Sequence, residues 1–404
     1  MNRIPRSIPF HRSRFFRDNG VTRCLFVLLM VQSALIMTFP APSFLIEYQS
    51  FLNALRERIP QTHTSADFQQ LMNWKNQRIT QILRLAPTPD GRDATAWYAM
   101  GHLLQLRGTL PEAIHHMQES LRRDDANVSA AKALLNLFLQ TDQPREAGRL
   151  LRQYRTKIPP GESGALCLAV AQSFFEQADY LAANDYLELA RLSFSRDHQT
   201  RRLTGMICQN FALAGEKKKA LEYLSARERE RPAEQSSLRD LRRHVGLLHT
   251  PAPELDVEHW LDHPAPNIAG GQGRVTLIDF WAPGCPDCLD SMTEIKPLHD
   301  AYQAAGLDII SLCTLPESDS SATGAGGNEP AAFLSRLHTM REARGWSWSF
   351  GVAATGSNHE RFAVTTIPHV VLMDKQGNIR FMDHGKMLDF PRLQATIDHL
   401  LAEK

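Results

Sequence analysis

The sequence runs to 404 residues, longer than one ordinary hydrophobic core supports, and so points to two or three folded units. Its 45 Lys and Arg against 44 Asp and Glu leave a formal net charge of +1, which excludes the strongly basic field of a nucleic-acid binder. Six cysteines are too few for a disulfide-built scaffold; Cys24, Cys167, Cys208 and Cys313 stand singly, and Cys285 with Cys288 is the one close pair.

The first predicted element is hydrophobic. Residues 1–23 form a basic flank, with Arg3, Arg6, Arg12, Arg14, Arg17 and Arg23 opposed by Asp18 alone, and 24–46 contain no charged residue. A run of that length, close to the roughly 20 apolar residues that cross hydrocarbon, predicts a signal anchor or a signal peptide. The basic flank would stay in the cytoplasm, so the expectation is a single-pass protein of the inner membrane with its bulk in the periplasm or outside. Ala41 and Ser43 suit a cleavage site, but Pro40 and Pro42 disfavour one; retention as an anchor is expected, with secretion to the periplasm after cleavage as the alternative. Val21, Thr22 and Arg23 before Cys24 give no lipoprotein signal.

Residues 47–232 read as helical. Phe51, Leu55, Ile59, Leu71, Ile79, Ile82 and Leu83 recur at helical spacing as far as Pro87 and Pro89. A repeat follows: Ala113 and Ala147 lie 34 residues apart, and Ala183 and Ala220 come after a further 36 and 37. A small residue at such a period lets two helices approach, and larger neighbours such as Trp97, Leu104, Phe138, Phe174 and Leu224 fill the space between them. The units at 94–232 resemble tetratricopeptide repeats, which implies a groove that recruits a protein partner. Its first-helix positions would be Tyr98, His102, Lys132, Asn136, Gln140, Gln172 and Gln209; a spacer or dimerisation scaffold is the other reading. Lys132 and Asn136 stand where some such domains clamp a terminal carboxylate, yet Ala169 and Met206 lack the polar groups that clamp needs. Cys167 and Cys208 fall on inward positions and are expected to pack as small hydrophobes. Residues 233–254, with Arg239, Arg242, Arg243, Pro251 and Pro253, are predicted to be a linker.

An α/β domain is expected over 255–404. A β-branched and aromatic strand at 275–281 ends at Pro283 and Gly284, and Cys285-Pro286-Asp287-Cys288 opens a helix running to Tyr302. Then come a strand at 307–315, a Ser/Gly-rich surface loop at 318–328, a helix at 331–344, a strand at 370–374, a turn at 375–378, a strand at 379–382 and a helix at 391–401. A thiolate must form before a disulfide is attacked, and a cysteine in the first turn of a helix meets unpaired amides and the positive helix end. Cys285 fits that attacking role. Cys288, three residues on and one turn deeper, fits the resolving thiol, and Asp279 on the preceding strand is placed to take its proton.

The segment Asp279-Phe280-Trp281-Ala282 followed by Cys285 and Cys288 resembles the active site of the thioredoxin superfamily, and the order of strands and helices is the thioredoxin order. Thr366-Ile367-Pro368 before a strand is similar to the family's cis-proline loop, and Gly385 matches a family glycine. Trp260 and Phe362-Ala363-Val364 are most similar to the membrane-tethered, extracytoplasmic TlpA-like redoxin branch, which includes cytochrome c maturation thioredoxins. The resemblance implies catalysis by Cys285, Cys288, Asp279 and Pro368, substrate contacts at Trp281, Pro286, Thr366 and Ile367, and no cofactor beyond the redox-active disulfide Cys285–Cys288. It also implies protein thiols or disulfides as substrates and a membrane electron donor.

Two positions depart from the family: Gly284 stands where Trp is common, and Thr293 where a kinking Pro is common, with Pro297 one turn later. Asp287 and Asp290 add negative charge near the thiols, which is expected to raise the Cys285 pKa and to favour a reductant; simple capping of the helix start is the other reading. A zinc site would need two further ligands, and His369 and His384 are the only residues singled out for that part. Cys313 is expected in the core. The function expected is a reductase of protein disulfides outside the cytoplasm, against an interaction scaffold with a regulatory or vestigial redox domain, or a disulfide oxidase or isomerase.

Overall fold

The computed structural model describes residues 43–62, 64–88, 91–194, 197–231, 235–261, 273–315, 330–385 and 388–403. The basic flank, residues 24–42 of the predicted span and the 318–328 loop lie outside them. Among the described residues no helix is long and apolar enough to cross a membrane. The end of the predicted span, 43–46, opens α1 (Ser43–Arg58), where Phe44 and Leu45 are buried.

The chain divides into two compact units, Met1–Pro159 and Pro160–Lys404. The first contains α1, α2 (Ser65–Leu83), α3 (Ala94–Arg107), α4 (Leu110–Arg123), α5 (Val128–Gln140) and α6 (Pro144–Tyr154). Local chemistry sets their ends. Thr64 and Asp67 form a reciprocal capping box at α2, Asp93 accepts the Ala96 amide at the start of α3, and Gly108 ends α3 in the left-handed conformation that glycine adopts without a Cβ clash. Ala113 and Ala147 have no exposed surface, as the repeat requires of residues at a helix–helix contact.

The second unit starts with α7 (Pro160–Glu176), α8 (Tyr180–Ser193), α9 (Asp197–Leu213), α10 (Lys217–Glu230) and α11 (Gln235–Leu247), and Ala183 and Ala220 are again fully buried. The expected linker is largely this last helix. Its composition is polar, but Leu238, Val245 and Leu248 are buried and Leu241 packs beside them, at the spacing of one helical face. His244 Nε2 donates to the Ala363 carbonyl at 2.8 Å, and the chain beyond pairs with the last strand region of the β-sheet through His249 N to Ile379 O at 2.6 Å and Ala252 N to Gly377 O at 2.9 Å. The helix thus packs on α9 and α10, and residues 243–254 dock on the α/β fold.

The sheet has the order β1-β4-β3-β2-β5-β6, formed by β1 (His259–Trp260), β2 (Val275–Phe280), β3 (Leu307–Thr314), β4 (Ser349–Ala353), β5 (His369–Met373) and β6 (Ile379–His384). β2, β3 and β4 run parallel, while β5 joins β2 antiparallel and β6 follows it as a hairpin. One face lies under α12 (Pro286–Tyr302), α13 (Pro330–Arg344) and α15 (Phe390–Ala402), whose Met292, Ile295, Leu337, Leu393 and Ile397 share a core with Leu277, Ile309, Phe350 and Leu372. The other face carries Ile278, Phe280 and Val371 against Phe362, just after α14 (Ser357–Arg361), and against Ala212 and Leu248 of the helical region. β4 and α14 are absent from the sequence expectation.

Arg392 of α15 is fully buried in this unit. Its guanidinium carbon lies 3.9 Å from the Phe175 ring centre, and Nη2 donates to Asn210 Oδ1 at 2.7 Å and Gln209 Oε1 at 3.3 Å. Burial pushes its pKa down to about 10. Truncation would leave two buried amide oxygens without their donor, so Arg392→Ala is expected to lower the unfolding free energy by roughly 3 kcal/mol. An unchanged urea midpoint would show that the buried guanidinium adds nothing.

Three of the expected groove positions, two in the first unit and one in the second, are occupied by the chain itself. Tyr98 and His102 are buried, and Tyr48 of α1 bonds His102 Nδ1 at 2.8 Å. Gln209 Nε2 donates to the Met382 carbonyl at 2.9 Å. Tyr98, His102 and Gln209 thus serve internal packing instead of presenting a polar surface.

Candidate active site

All six residues of β2 are buried, and the strand hands the chain to a tight turn that leads directly into α12. Pro286 takes the first helical position, where its missing N–H is not needed. Cys285 is the N-cap, and its sulfur accepts the Cys288 amide at 3.2 Å. That places Sγ where the amides and the helix dipole favour a thiolate. The pair is joined as a disulfide with Cα atoms 5.2 Å apart. Cys288 is 1% exposed while Cys285 is half-buried, so an incoming sulfur meets Cys285 first. α12 continues unbroken past Thr293, with Pro297 inside it.

Facing the helix start is the loop before β5. The Ile367–Pro368 peptide is cis, and the Pro368 carbonyl accepts the Gly385 amide at 2.7 Å. Gly385 has φ +83, a left-handed value strained for any L side chain, which accounts for the glycine there. Asp287, Asp290 and Glu294 of α12 line one groove together with Pro368, Leu388 and Phe390. Sequence positions about 80 apart therefore meet in one groove on the helix that carries Cys288. Pro286 and Thr366 are exposed and Ile367 half-buried. Trp281 is the exception and the expectation for it is corrected: it is 1% exposed and packs edge-on against Trp346 and Phe350 at 5.9 and 5.7 Å, so it is a core residue.

Asp279 lies in the sheet with no exposed surface. Its Oδ2 accepts the Ser311 hydroxyl at 3.2 Å, and Oδ1 has no hydrogen-bond partner. Burial raises its pKa from 3.8 to about 7, with the Ser311 hydrogen bond pulling the other way. A carboxyl poised near neutrality can both take and return a proton. Cys313 is buried on the neighbouring strand; burial pushes its thiol up to about 12, with the Asp279 charge adding to the effect, so it stays protonated and inert.

Ser311 and Trp348, which connect to Asp279, are missing from the sequence expectation. The alternation Trp346, Trp348, Phe350 is the period-two signal that would have located β4 and with it the indole. His369 and His384 do come together, with ring centres 5.5 Å apart, and His244 of α11 joins them at 5.2 and 5.3 Å. Burial lowers the His369 pKa well below its ordinary value, and among the described residues no group of three or more His, Cys, Asp or Glu is arranged to hold a metal ion.

Residues 261–397 match the family model described as Redoxin. A search of curated proteins gave no match. Among solved structures the chain is similar to a thiol-disulfide isomerase from Corynebacterium glutamicum, 21% identical, covering 38% of this chain and 97% of that one with a TM-score of 0.32. It is similar also to the thioredoxin domain of a thiol-disulfide oxidoreductase from Bacteroides vulgatus, 15% identical over 38% and 97% with a TM-score of 0.30. A pneumococcal exposed lipoprotein thioredoxin from Streptococcus pneumoniae is 18% identical over 32% and 87%, with a TM-score of 0.25. With a redoxin match over 261–397 and a paired CxxC at the head of a helix, this C-terminal segment belongs to the thioredoxin superfamily and is a thiol-disulfide oxidoreductase.

Proposed function

We propose that the protein reduces disulfides of exported proteins, apocytochromes included, outside the cytoplasm, held at the inner membrane by its hydrophobic N-terminal segment and supplied with electrons by a membrane donor. The observation that carries the reductive direction is the acidic groove: Asp287, Asp290 and Glu294 line it from the same helix that carries Cys288. Negative charge there disfavours the thiolate that the helix end favours, and a less stabilised dithiol is the more reducing one. The tetratricopeptide-like helices would recruit the partner through Lys132, Asn136, Gln140 or Gln172, which retain some exposure.

The direction is tested by equilibrating the full-length protein with defined glutathione and dithiothreitol buffers. The expected reduction potential lies nearer the about −270 mV of thioredoxin than the about −120 mV of the bacterial periplasmic oxidant. A value near the latter overturns the reductase reading in favour of an oxidase. In parallel, insulin reduction is expected to disappear in Cys285→Ser; full activity in that variant would favour the scaffold reading, in which the redox pair is incidental.

A further inference from the structure

The carboxylate of Asp279 ends a buried hydrogen-bond chain that crosses three neighbouring segments of the sheet. Trp348 Nε1 donates to Ser311 Oγ at 2.8 Å, and Ser311 Oγ lies 3.2 Å from Asp279 Oδ2. Trp348 is 3% exposed, and Ser311 and Asp279 have no exposed surface. An indole N–H only donates and a carboxylate only accepts, so the hydroxyl between them has a single consistent orientation: it accepts from Trp348 and gives its own proton to Asp279. Asp279 Oδ1 is buried and has no partner. The residues flanking this chain, Leu277, Trp281, Ile309 and Cys313, share a core cluster with Cys288 and with Trp348 itself, so the resolving sulfur and the carboxylate chain lie on one face of the sheet.

We propose that Ser311 and Trp348 are positioning residues for the proton transfer at Asp279: together they hold Oδ2 as a fixed acceptor and leave Oδ1 as the oxygen that receives the Cys288 proton. The inference rests on the oxidoreductase assignment and adds to it. In the reducing direction, the Cys285 thiolate attacks a substrate disulfide, forming a mixed disulfide and releasing one substrate thiolate. Asp279 Oδ1 then takes the proton of Cys288, the Cys288 thiolate attacks Cys285 Sγ, and the second substrate thiolate leaves. The protein dithiol loses two electrons to become the disulfide, the substrate disulfide gains them, and the proton on Asp279 passes to the departing thiolate. A neutral donor on Oδ2 favours the charged carboxylate, and a donor that is itself polarised by an indole does so more strongly. This opposes the effect of burial on Asp279.

The test is single-turnover reduction of a self-quenched fluorescent glutathione disulfide by the full-length reduced protein, which separates attack from resolution, followed against pH. In Ser311→Ala the acid limb of the resolving phase is expected to move up by about one pH unit, with the rate at pH 7 falling about fivefold, while the attack phase keeps its profile. Trp348→Phe is expected to move the same limb in the same direction by less, and Ser311→Thr, which keeps the hydroxyl, to restore it. A resolving limb that stays in place in both Ser311→Ala and Trp348→Phe, or an equal loss of rate in Ser311→Ala and Ser311→Thr, overturns the positioning role. Failure of the underlying assignment looks different: the wild type itself would then show neither phase.

Discussion

Full-length protein carrying Cys288→Ser is expected to stop after its first chemical step and to accumulate covalently bound substrate. The outer sulfur remains half-buried and reachable at the helix N-terminus, so it still attacks. The inner sulfur that would release the product is gone, and a hydroxyl at that position is too weak an acid to replace it. Turnover should fall to the uncatalysed background. A mass increase equal to one substrate chain should appear, and it should vanish on adding dithiothreitol. Cys285→Ser should give neither turnover nor adduct, because Cys288 is 1% exposed and sealed behind it. Adduct formation by Cys285→Ser at the rate seen with Cys288→Ser would reverse the two roles.

The second large effect concerns stability. Asp279 is expected to make the folded protein weaker in alkaline than in acid solution, because its pKa is raised from 3.8 to about 7 by burial. Below pH 4 both the folded and unfolded chains hold the proton and Asp279 makes no difference. As pH rises from about 4 to about 7, the unfolded chain releases the proton first, so unfolding is progressively favoured; above about 7 the full penalty of a buried charge applies, about 4 kcal/mol. Asp279→Asn removes the charge at nearly constant volume. The oxidised variant should therefore gain up to about 4 kcal/mol over the wild type at pH 8 relative to its difference at pH 4, read from urea unfolding at both pH values. A difference that does not change with pH would mean that Asp279 is already ionised or solvated in the folded state. The same substitution should slow the resolving step by about 100-fold, the ordinary scale of a lost general base. Stability and catalysis pull in opposite directions at this residue.

These two residues and their neighbours were readable in the sequence because their chemistry is local. A cysteine before proline at a helix start, a second cysteine one turn on and an acid six residues earlier constrain each other within ten positions. The Ile367-Pro368 loop was reached by resemblance, and its meeting with α12 in one groove is a fact of the fold. The repeat period was legible too, since Ala113, Ala147, Ala183 and Ala220 recur at near-constant spacing and all four are fully buried. What stayed hidden depends on contacts between distant positions. Trp281 looks like an exposed active-site aromatic until Trp346 and Phe350 close over it. Ser311 is an unremarkable serine within an apolar strand until Trp348, 37 residues later, gives to its oxygen. The stretch around Arg239, Arg242 and Arg243 reads as solvated, because composition averages over a helix in which Leu238, His244 and Val245 are buried and Leu241 is half-buried.

That helix also changes what counts as the redox domain. Ala212 and Leu248 complete the apolar layer beneath Ile278, Phe280 and Val371, Tyr180 and the Glu176 carbonyl hold His399 at 2.9 and 3.1 Å, and His244 grips the chain at Ala363, five residues ahead of the cis-proline. A catalytic fragment cut at the apparent boundary would emerge with one side of its sheet stripped and its cis-proline loop unmoored. The last helical hairpins thus back the face of the sheet opposite the cysteines and hold α15 in place, and transplanting this enzyme onto another carrier means taking them along.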